Sequence, residues 1–154
     1  MDKAKTFLES LPSRLDFLPG LLSRITLGFI FVQSGWGKLH HLDKVTEFFR
    51  ALGIPAPGLQ APFVATVELA AGGLVLVGFF TRLAALPLIG TMVVAILTAK
   101  RPDIHELSDF LALPEFLFIV LSLWLVVKGA GAFSLDAFLC RRCGKTADLL
   151  PPGK

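Results

Sequence analysis

The stretch that decides the fold class is residues 62–99, which read PFVATVELAAGGLVLVGFFTRLAALPLIGTMVVAILTA. It contains two apolar runs, 62–80 and 83–99, and Glu68 is the only charged residue inside either of them. A helix needs about 20 apolar residues to cross the hydrocarbon core of a bilayer. Each run is close to that length, so the stretch predicts two membrane-spanning helices joined by a short connection.

Two further apolar runs, at 21–39 and 111–127, flank this stretch. The whole chain of 154 residues is 54% hydrophobic and 18% charged, with a mean hydropathy of +0.71. Soluble domains usually contain about 45–50% apolar and about 25% charged residues, so the composition favours a membrane protein. We therefore predict one all-α domain, an integral membrane four-helix bundle.

The segments outside the spans divide the chain further. We predict an amphipathic amino-terminal segment at 1–18, a four-span membrane domain at 19–139 and a basic cytoplasmic tail at 140–154. Between the first two spans, apolar residues recur with helical spacing at Val45, Phe48, Phe49 and Leu52. This pattern predicts a short amphipathic helix, either a lid on the bundle at the membrane interface or a simple linker.

The charge distribution predicts the orientation. With four spans both chain termini share a side, and that side carries ten of the 15 Lys and Arg residues. Cytoplasmic loops are enriched in Lys and Arg, so both termini are expected in the cytoplasm. The net charge of +3 is accounted for in this way, and no nucleic-acid partner is predicted.

The orientation bears on Cys140 and Cys143. Their CxxC spacing lies on the predicted cytoplasmic side, where thiols stay reduced, and the strand-helix context of a thioredoxin motif is missing. A structural or incidental role, lipidation, metal sharing with a partner and redox work all remain open. His105 and Asp109 stand four residues apart, but they match no recognised ligand signature, and no metal site is predicted.

Ionisable residues inside spans are the candidate site residues, because each costs roughly 2.5–3.5 kcal/mol at a helix centre unless it faces protein or water. On the first span Arg24 and Lys38 share a stripe with Gly28 and Gly35. On the second span Glu68 shares a stripe of small residues. Small and polar residues line helix contacts in membranes, so each stripe is expected to face the bundle interior.

Counting along the helices places four polar residues in the outer half of the bundle. These candidate ligand-binding residues are Gln33, Lys38, Glu68 and Glu115. Arg24 lies too far toward the cytoplasm to reach either acid, and it is expected to extend to the inner interface. For Glu68 two interpretations stay open: a binding or proton-relay group, or a carboxylate that joins two helices through Lys38 or a hydroxyl.

Several short motifs follow one another along residues 20–139: Arg24-x3-Gly28-x2-Phe31-x3-Gly35-x2-Lys38, Gly53-Ile54-Pro55, Glu68-x3-Gly72-Gly73, Gly78-x2-Thr81-Arg82, Pro114-Glu115 and Gly129-x-Gly131-x2-Ser134-x-Asp136. Their order and spacing resemble those of the DoxX family of small four-helix bacterial membrane proteins. The resemblance implies an inner-membrane protein. In some relatives such a protein is a subunit of thiosulfate:quinone oxidoreductase, and in others it is a partner of cytoplasmic redox and detoxification enzymes.

The resemblance also implies roles for individual positions. The family's polar positions would be Arg24, Lys38, Glu68 and Glu115. Its structural packing positions would be Gly28, Gly35, Gly72 and Gly73. Residues 1–18 and the Cys140-x-x-Cys143 tail lie outside the pattern.

The leading functional hypothesis is a membrane subunit that supports quinone-linked or thiol-linked redox chemistry with a partner oxidoreductase. A quinone is the candidate ligand of the polar pocket, no covalently bound cofactor is expected, and no catalytic residue is assigned. The alternatives are a small-molecule or ion transport module and a non-catalytic membrane anchor or assembly factor. The sequence leaves open whether the chain forms a homo-oligomer.

Overall fold

The computed structural model of the chain describes residues 17–131 and 134–142. The predicted segment 1–18 therefore lies almost entirely outside the described residues, as does the tail from Cys143 onward. Within the described ranges every regular element is helical. The helices are α1 (Phe17–His40), α2 (Leu42–Ala51), α3 (Pro57–Val77), α4 (Thr81–Ala95), α5 (Leu107–Ala112), α6 (Pro114–Lys128) and α7 (Leu135–Arg142).

Three helical segments are long and apolar enough to cross a membrane: Phe17–His40, Pro57–Val77 and Thr81–Asp103. The third consists of α4, a π-helical turn at Ile96–Lys100 and a 3₁₀ turn at Arg101–Asp103. The predicted fold class is thereby confirmed, and the protein is an all-α membrane protein.

The fourth apolar run differs from its prediction. Run 111–127 is broken at Leu113, whose backbone is extended (φ −66°, ψ 130°), and α6 begins only at Pro114. A proline disfavours helical backbone in the residue before it, which explains the break. The 15 residues of α6 span about 22 Å, which is less than the roughly 30 Å of a hydrocarbon core.

The four long helices form a closed ring in the order α1, α3, α4, α6, with α6 returning to α1. The core between them is apolar, and its largest fully buried side chains include Leu27, Phe31, Leu88 and Leu125. Exposed Leu, Val, Ile and Phe side chains cover the outside of the ring, as expected for a surface in contact with lipid. We call the end of the ring next to α2 the lid end.

The closest packing is between α1 and α3. A Cβ atom on Gly28 would lie 2.7 Å from the Cα of Leu76, and one on Gly35 would lie 2.5 Å from the backbone nitrogen of Leu69. Gly72 meets α1 in the same way, at Phe31. Gly73 differs from these three glycines, because a Cβ atom there would have nothing within 4 Å among the described residues.

Two prolines, Pro62 and Pro87, stand within the second and third apolar runs. Because α3 begins at Pro57 and α4 at Thr81, both prolines lie inside a helix. A proline has no backbone N–H, so each one leaves the carbonyl of the preceding turn without its usual helical donor.

Candidate functional site

A cavity of about 770 Å³ lies at the lid end of the bundle. Side chains from α1, α2, α3, α4 and α6 line it, and most of them are apolar. Its polar lining includes Ser34, Lys38, Glu68, Thr91 and Glu115. An apolar cavity with a few convergent polar groups is the usual form of a small-molecule site.

The buried polar group of the cavity is Glu68, whose side chain is 1% exposed. One of its carboxylate oxygens, Oε2, accepts a hydrogen bond of 2.8 Å from the hydroxyl of Ser34. Both oxygens also face the Nζ ammonium of Lys38 and form an ion pair with it. We call these three residues the floor cluster.

The local sequence explains why the floor cluster forms. Ser34 and Lys38 are four residues apart and therefore share one face of α1. Glu68 lies on the α3 face that carries Ala65 and Gly72, and all three are buried. Since Gly35 allows the α3 backbone to approach α1 closely, the short Ser34 side chain reaches the carboxylate.

Glu115 lines the same cavity from the first turn of α6. Its Oε2 atom is buried and accepts no hydrogen bond from the described residues. Leaving a buried polar atom without a partner costs about 1–3 kcal/mol, so this position favours a ligand or water as its partner. The structure thus brings Lys38, Glu68 and Glu115 to one cavity.

Gln33 does not join them. Its side chain is exposed on the outside of α1 and does not line the cavity. The neighbouring Ser34 provides the hydrogen bond instead, and sequence reasoning missed it. The signal was available, because Leu27, Phe31, Ser34 and Lys38 follow the three- and four-residue spacing of one helix face.

The amphipathic helix α2 covers the cavity. Its apolar side chains Val45, Phe48 and Phe49 line the cavity, as does Leu52, which follows the helix. The helix is therefore a lid rather than a simple linker.

The α4 wall contributes two hydroxyl groups and an irregular backbone. Thr91 donates to the carbonyl of Leu88 at 2.9 Å, and Thr98 donates to the carbonyl of Val94 at 2.7 Å. The π-helical turn at Ile96–Lys100 contributes Thr98 and Ala99 to the lining. Such turns inside α-helices are frequent at functional sites.

Arg24 lies apart from the cavity, near the turn between α3 and α4. It is 5% exposed, and its Nη1 donates to the carbonyl of Ala130 at 2.9 Å. The guanidinium group is thus buried rather than extended to the interface. Asp136 joins the same region, since its carboxylate accepts from the N–H of Phe80 at 3.1 Å and its own N–H donates to Gly78 at 3.1 Å.

His105 and Asp109 take part in the cap of helix α5. Asp109 Oδ2 accepts hydrogen bonds of 3.0 Å from the backbone N–H groups of His105 and Glu106, which caps α5. Among the described residues no group of three or more His, Cys, Asp or Glu side chains is placed to hold a metal ion.

Comparison with known proteins identifies the family. Residues 20–101, more than half of the chain, match the DoxX family. The chain belongs to the DoxX family. The matched region contains α1 from its fourth residue and all of α2 to α4, and with them the whole floor cluster and the lid, whereas Glu115 lies beyond it.

Several DoxX relatives cover most of the chain. It is 26% identical to the inner membrane protein YqjF of Escherichia coli, over 84% of this chain and 98% of that protein. It is 34% identical to the uncharacterized membrane protein Rv3486 of Mycobacterium tuberculosis, over 79% of this chain and 83% of that protein. It is 31% identical to a Bacillus subtilis protein named "Putative oxidoreductase CatD", over 77% of this chain and 85% of that protein. No solved structure matches the chain.

Proposed function

We propose that this DoxX protein is an inner-membrane subunit that binds a quinone-like ligand in the lid-end cavity and supports the redox chemistry of a partner oxidoreductase. The observation that carries the proposal is the buried floor cluster at one side of an otherwise apolar cavity of about 770 Å³. Two similarities support it: one relative carries the name "Putative oxidoreductase CatD" and another is named as an inner membrane protein.

The cavity matches the chemistry of a quinone. Small-molecule sites typically enclose about 300–1,000 Å³, and a quinone head group presents two carbonyl acceptors on an apolar ring. The Lys38 ammonium has three N–H donors, and its side chain is 28% exposed, so it has capacity beyond its bond to Glu68. Phe31 and Phe118, whose rings pack edge to face 5.9 Å apart, provide aromatic walls.

Reduction of a quinone to a quinol consumes two electrons and two protons. Glu115 is suited to pass protons to a ligand oxygen, because it lines the cavity and its buried Oε2 atom has no hydrogen-bond partner among the described residues. The cavity-lining residues, all within the described part of the chain, include no cysteine. Carboxylates, amines and hydroxyls do not hold electrons, so we assign electron transfer to a cofactor of the partner.

The test is equilibrium binding of a short-chain quinone, decylubiquinone, to the protein in lipid nanodiscs, with empty nanodiscs as the partition control. We expect saturable binding to the wild-type protein. Ser34→Leu places an apolar side chain on the floor and removes a polar contact, so affinity should fall roughly tenfold or more.

Gln33→Leu is the matched control. It also introduces a leucine on α1, but at the adjacent position, which is exposed and does not line the cavity. It should bind like the wild type. Thermal unfolding in detergent verifies that both variants are folded. Uptake by the wild-type protein no greater than by empty nanodiscs would refute the proposed ligand.

A further inference from the structure

Six residues that line the cavity are exposed: Lys44 and Phe48 on the lid, Phe63 on α3, and Pro87, Gly90 and Val94 on α4. All of them except Lys44 are apolar, and Phe48, Phe63 and Val94 are 52%, 67% and 49% exposed. By contrast, Glu68 on the floor is 1% exposed. The exposed lining residues therefore mark a mouth between α3 and α4, beside the lid, whose α3 and α4 sides are apolar and whose lid side carries Lys44.

The mouth stays open because of the residues that α4 places there. Gly90 lines the cavity and has no side chain, and a Cβ atom built on it would meet nothing within 4 Å. Pro87, one turn earlier, also lines the cavity. A larger residue at position 90 would have filled the gap between the two helices.

The mouth lies at the depth of the hydrocarbon core. Phe63 is about 9 Å along α3 from Pro57, and Gly90 is about 19 Å from Asp103 at the end of the third candidate span. A hydrocarbon core is about 30 Å thick, so both residues lie inside it when these segments span the membrane. The α3 and α4 sides of the mouth consequently face lipid chains.

We infer that the ligand is a membrane-dissolved amphiphile whose hydrogen-bonding head group lies against the floor cluster and whose apolar tail leaves through a lateral portal formed by Phe48, Phe63, Gly90 and Val94. This inference rests on the proposed function and adds the entry route and the need for a tail. A tail in the portal keeps its contact with apolar surface while the head group is buried, so both parts of the ligand meet a matching environment.

The experiment compares two quinones with and without a tail, menaquinone-4 and menadione, on three forms of the protein in nanodiscs: wild type, Gly90→Phe and Gly73→Phe. The new phenyl ring at position 90 occupies the portal but not the floor. Gly73 is the matched control, since it is also a helical glycine with nothing within 4 Å of a built Cβ atom, yet it does not line the cavity.

We expect Gly90→Phe to weaken menaquinone-4 binding roughly tenfold or more, because the tail loses its apolar contacts, while menadione binding changes by less than about threefold. Gly73→Phe should bind both compounds like the wild type. Equal effects of Gly90→Phe on the two compounds, or no effect on either, would overturn the portal but leave a ligand at the floor. Absence of saturable binding of both compounds to the wild type would overturn the proposed function and the portal together.

Discussion

At the scale of single residues, the central feature is a carboxylate, Glu68, that is fully buried in a membrane helix. A charged group at such a position is retained when it is paired and hydrogen-bonded. Lys38 and Ser34 supply both interactions from one face of α1. The structure shows the link between helices, and since the same carboxylate also lines the cavity, that link is compatible with the proposed binding role.

Glu68→Gln tests both roles. The change removes the charge that Lys38 faces, and breaking an ion pair on one side leaves the other charge without compensation. Because the Lys38 side chain is 28% exposed, we expect a loss of about 1–3 kcal/mol of stability rather than the larger loss of a fully buried pair. Thermal or denaturant unfolding in detergent measures it, and decylubiquinone binding should fall in parallel.

The double variant Glu68→Gln with Lys38→Met separates the two roles. No unpaired charge remains in it, so stability should return toward that of the wild type while binding stays weak. If Glu68→Gln alone had wild-type stability and wild-type binding, neither role would hold, and Glu115 would be the remaining candidate acid.

At the scale of helices, the sequence predicted the elements better than it predicted their faces. The apolar runs and the Val45–Leu52 pattern located the spans and the lid because hydropathy and period are properties of the chain itself. The predicted start of the fourth span, at residue 111, was wrong. A hydropathy count does not register the break that Pro114 imposes at Leu113.

Which side of a helix faces the bundle interior was harder to predict, because it depends on the position of the neighbouring helix. Gln33 and Ser34 are adjacent polar residues that differ by about 100° around the helix, and only the position of α3 decides which one meets Glu68. Gly72 and Gly73 present the same problem: one contacts α1 and the other has open space around it. The π-helical turn at Ile96–Lys100 has no recognised signature in the sequence.

The α1–α3 contact predicts that replacing two glycines by alanine changes the stability of the protein in opposite directions. A helical glycine replaced by alanine usually gains about 0.5–1 kcal/mol of stability. Gly73→Ala should show this gain, because nothing lies within 4 Å of the new Cβ. Gly35→Ala should instead be destabilising by more than 1 kcal/mol, about the size of a core overpacking effect, because its Cβ would lie 2.5 Å from the Leu69 nitrogen.

Circular dichroism monitors the unfolding of both variants in mild detergent and gives the unfolding midpoint of each under the same conditions. Equal shifts of the midpoint for the two variants would show that α1 and α3 are not in close contact at Gly35.

At the scale of the whole molecule, the four-span prediction requires that the short helix α6 cross the membrane. Four crossings place Arg82 and Lys128 on one side and Asp103 on the other. The Lys and Arg count predicts that the first pair lies in the cytoplasm.

We therefore expect single cysteines at Arg82 and Lys128 to be shielded from an impermeant thiol reagent in intact cells, and one at Asp103 to be labelled. The background is Cys140→Ser with Cys143→Ser, so that only the introduced thiol reacts. Labelling of Lys128→Cys together with Asp103→Cys would show that α6 does not cross. Labelling of the cysteines at positions 82 and 128, but not of the cysteine at position 103, would show the opposite orientation.

The central claim is that the lid-end cavity is where a quinone-like ligand binds, and photolabelling locates that ligand most directly. The protein in nanodiscs is irradiated with an azido-quinone, and the modified residues are found by peptide mass spectrometry. We predict labelling of cavity-lining residues, Phe49 on the lid, Met92 on α4 and Phe118 on α6, that excess decylubiquinone suppresses. Labelling confined to lipid-facing residues such as Leu22 and Phe29, unchanged by the competitor, would contradict the account.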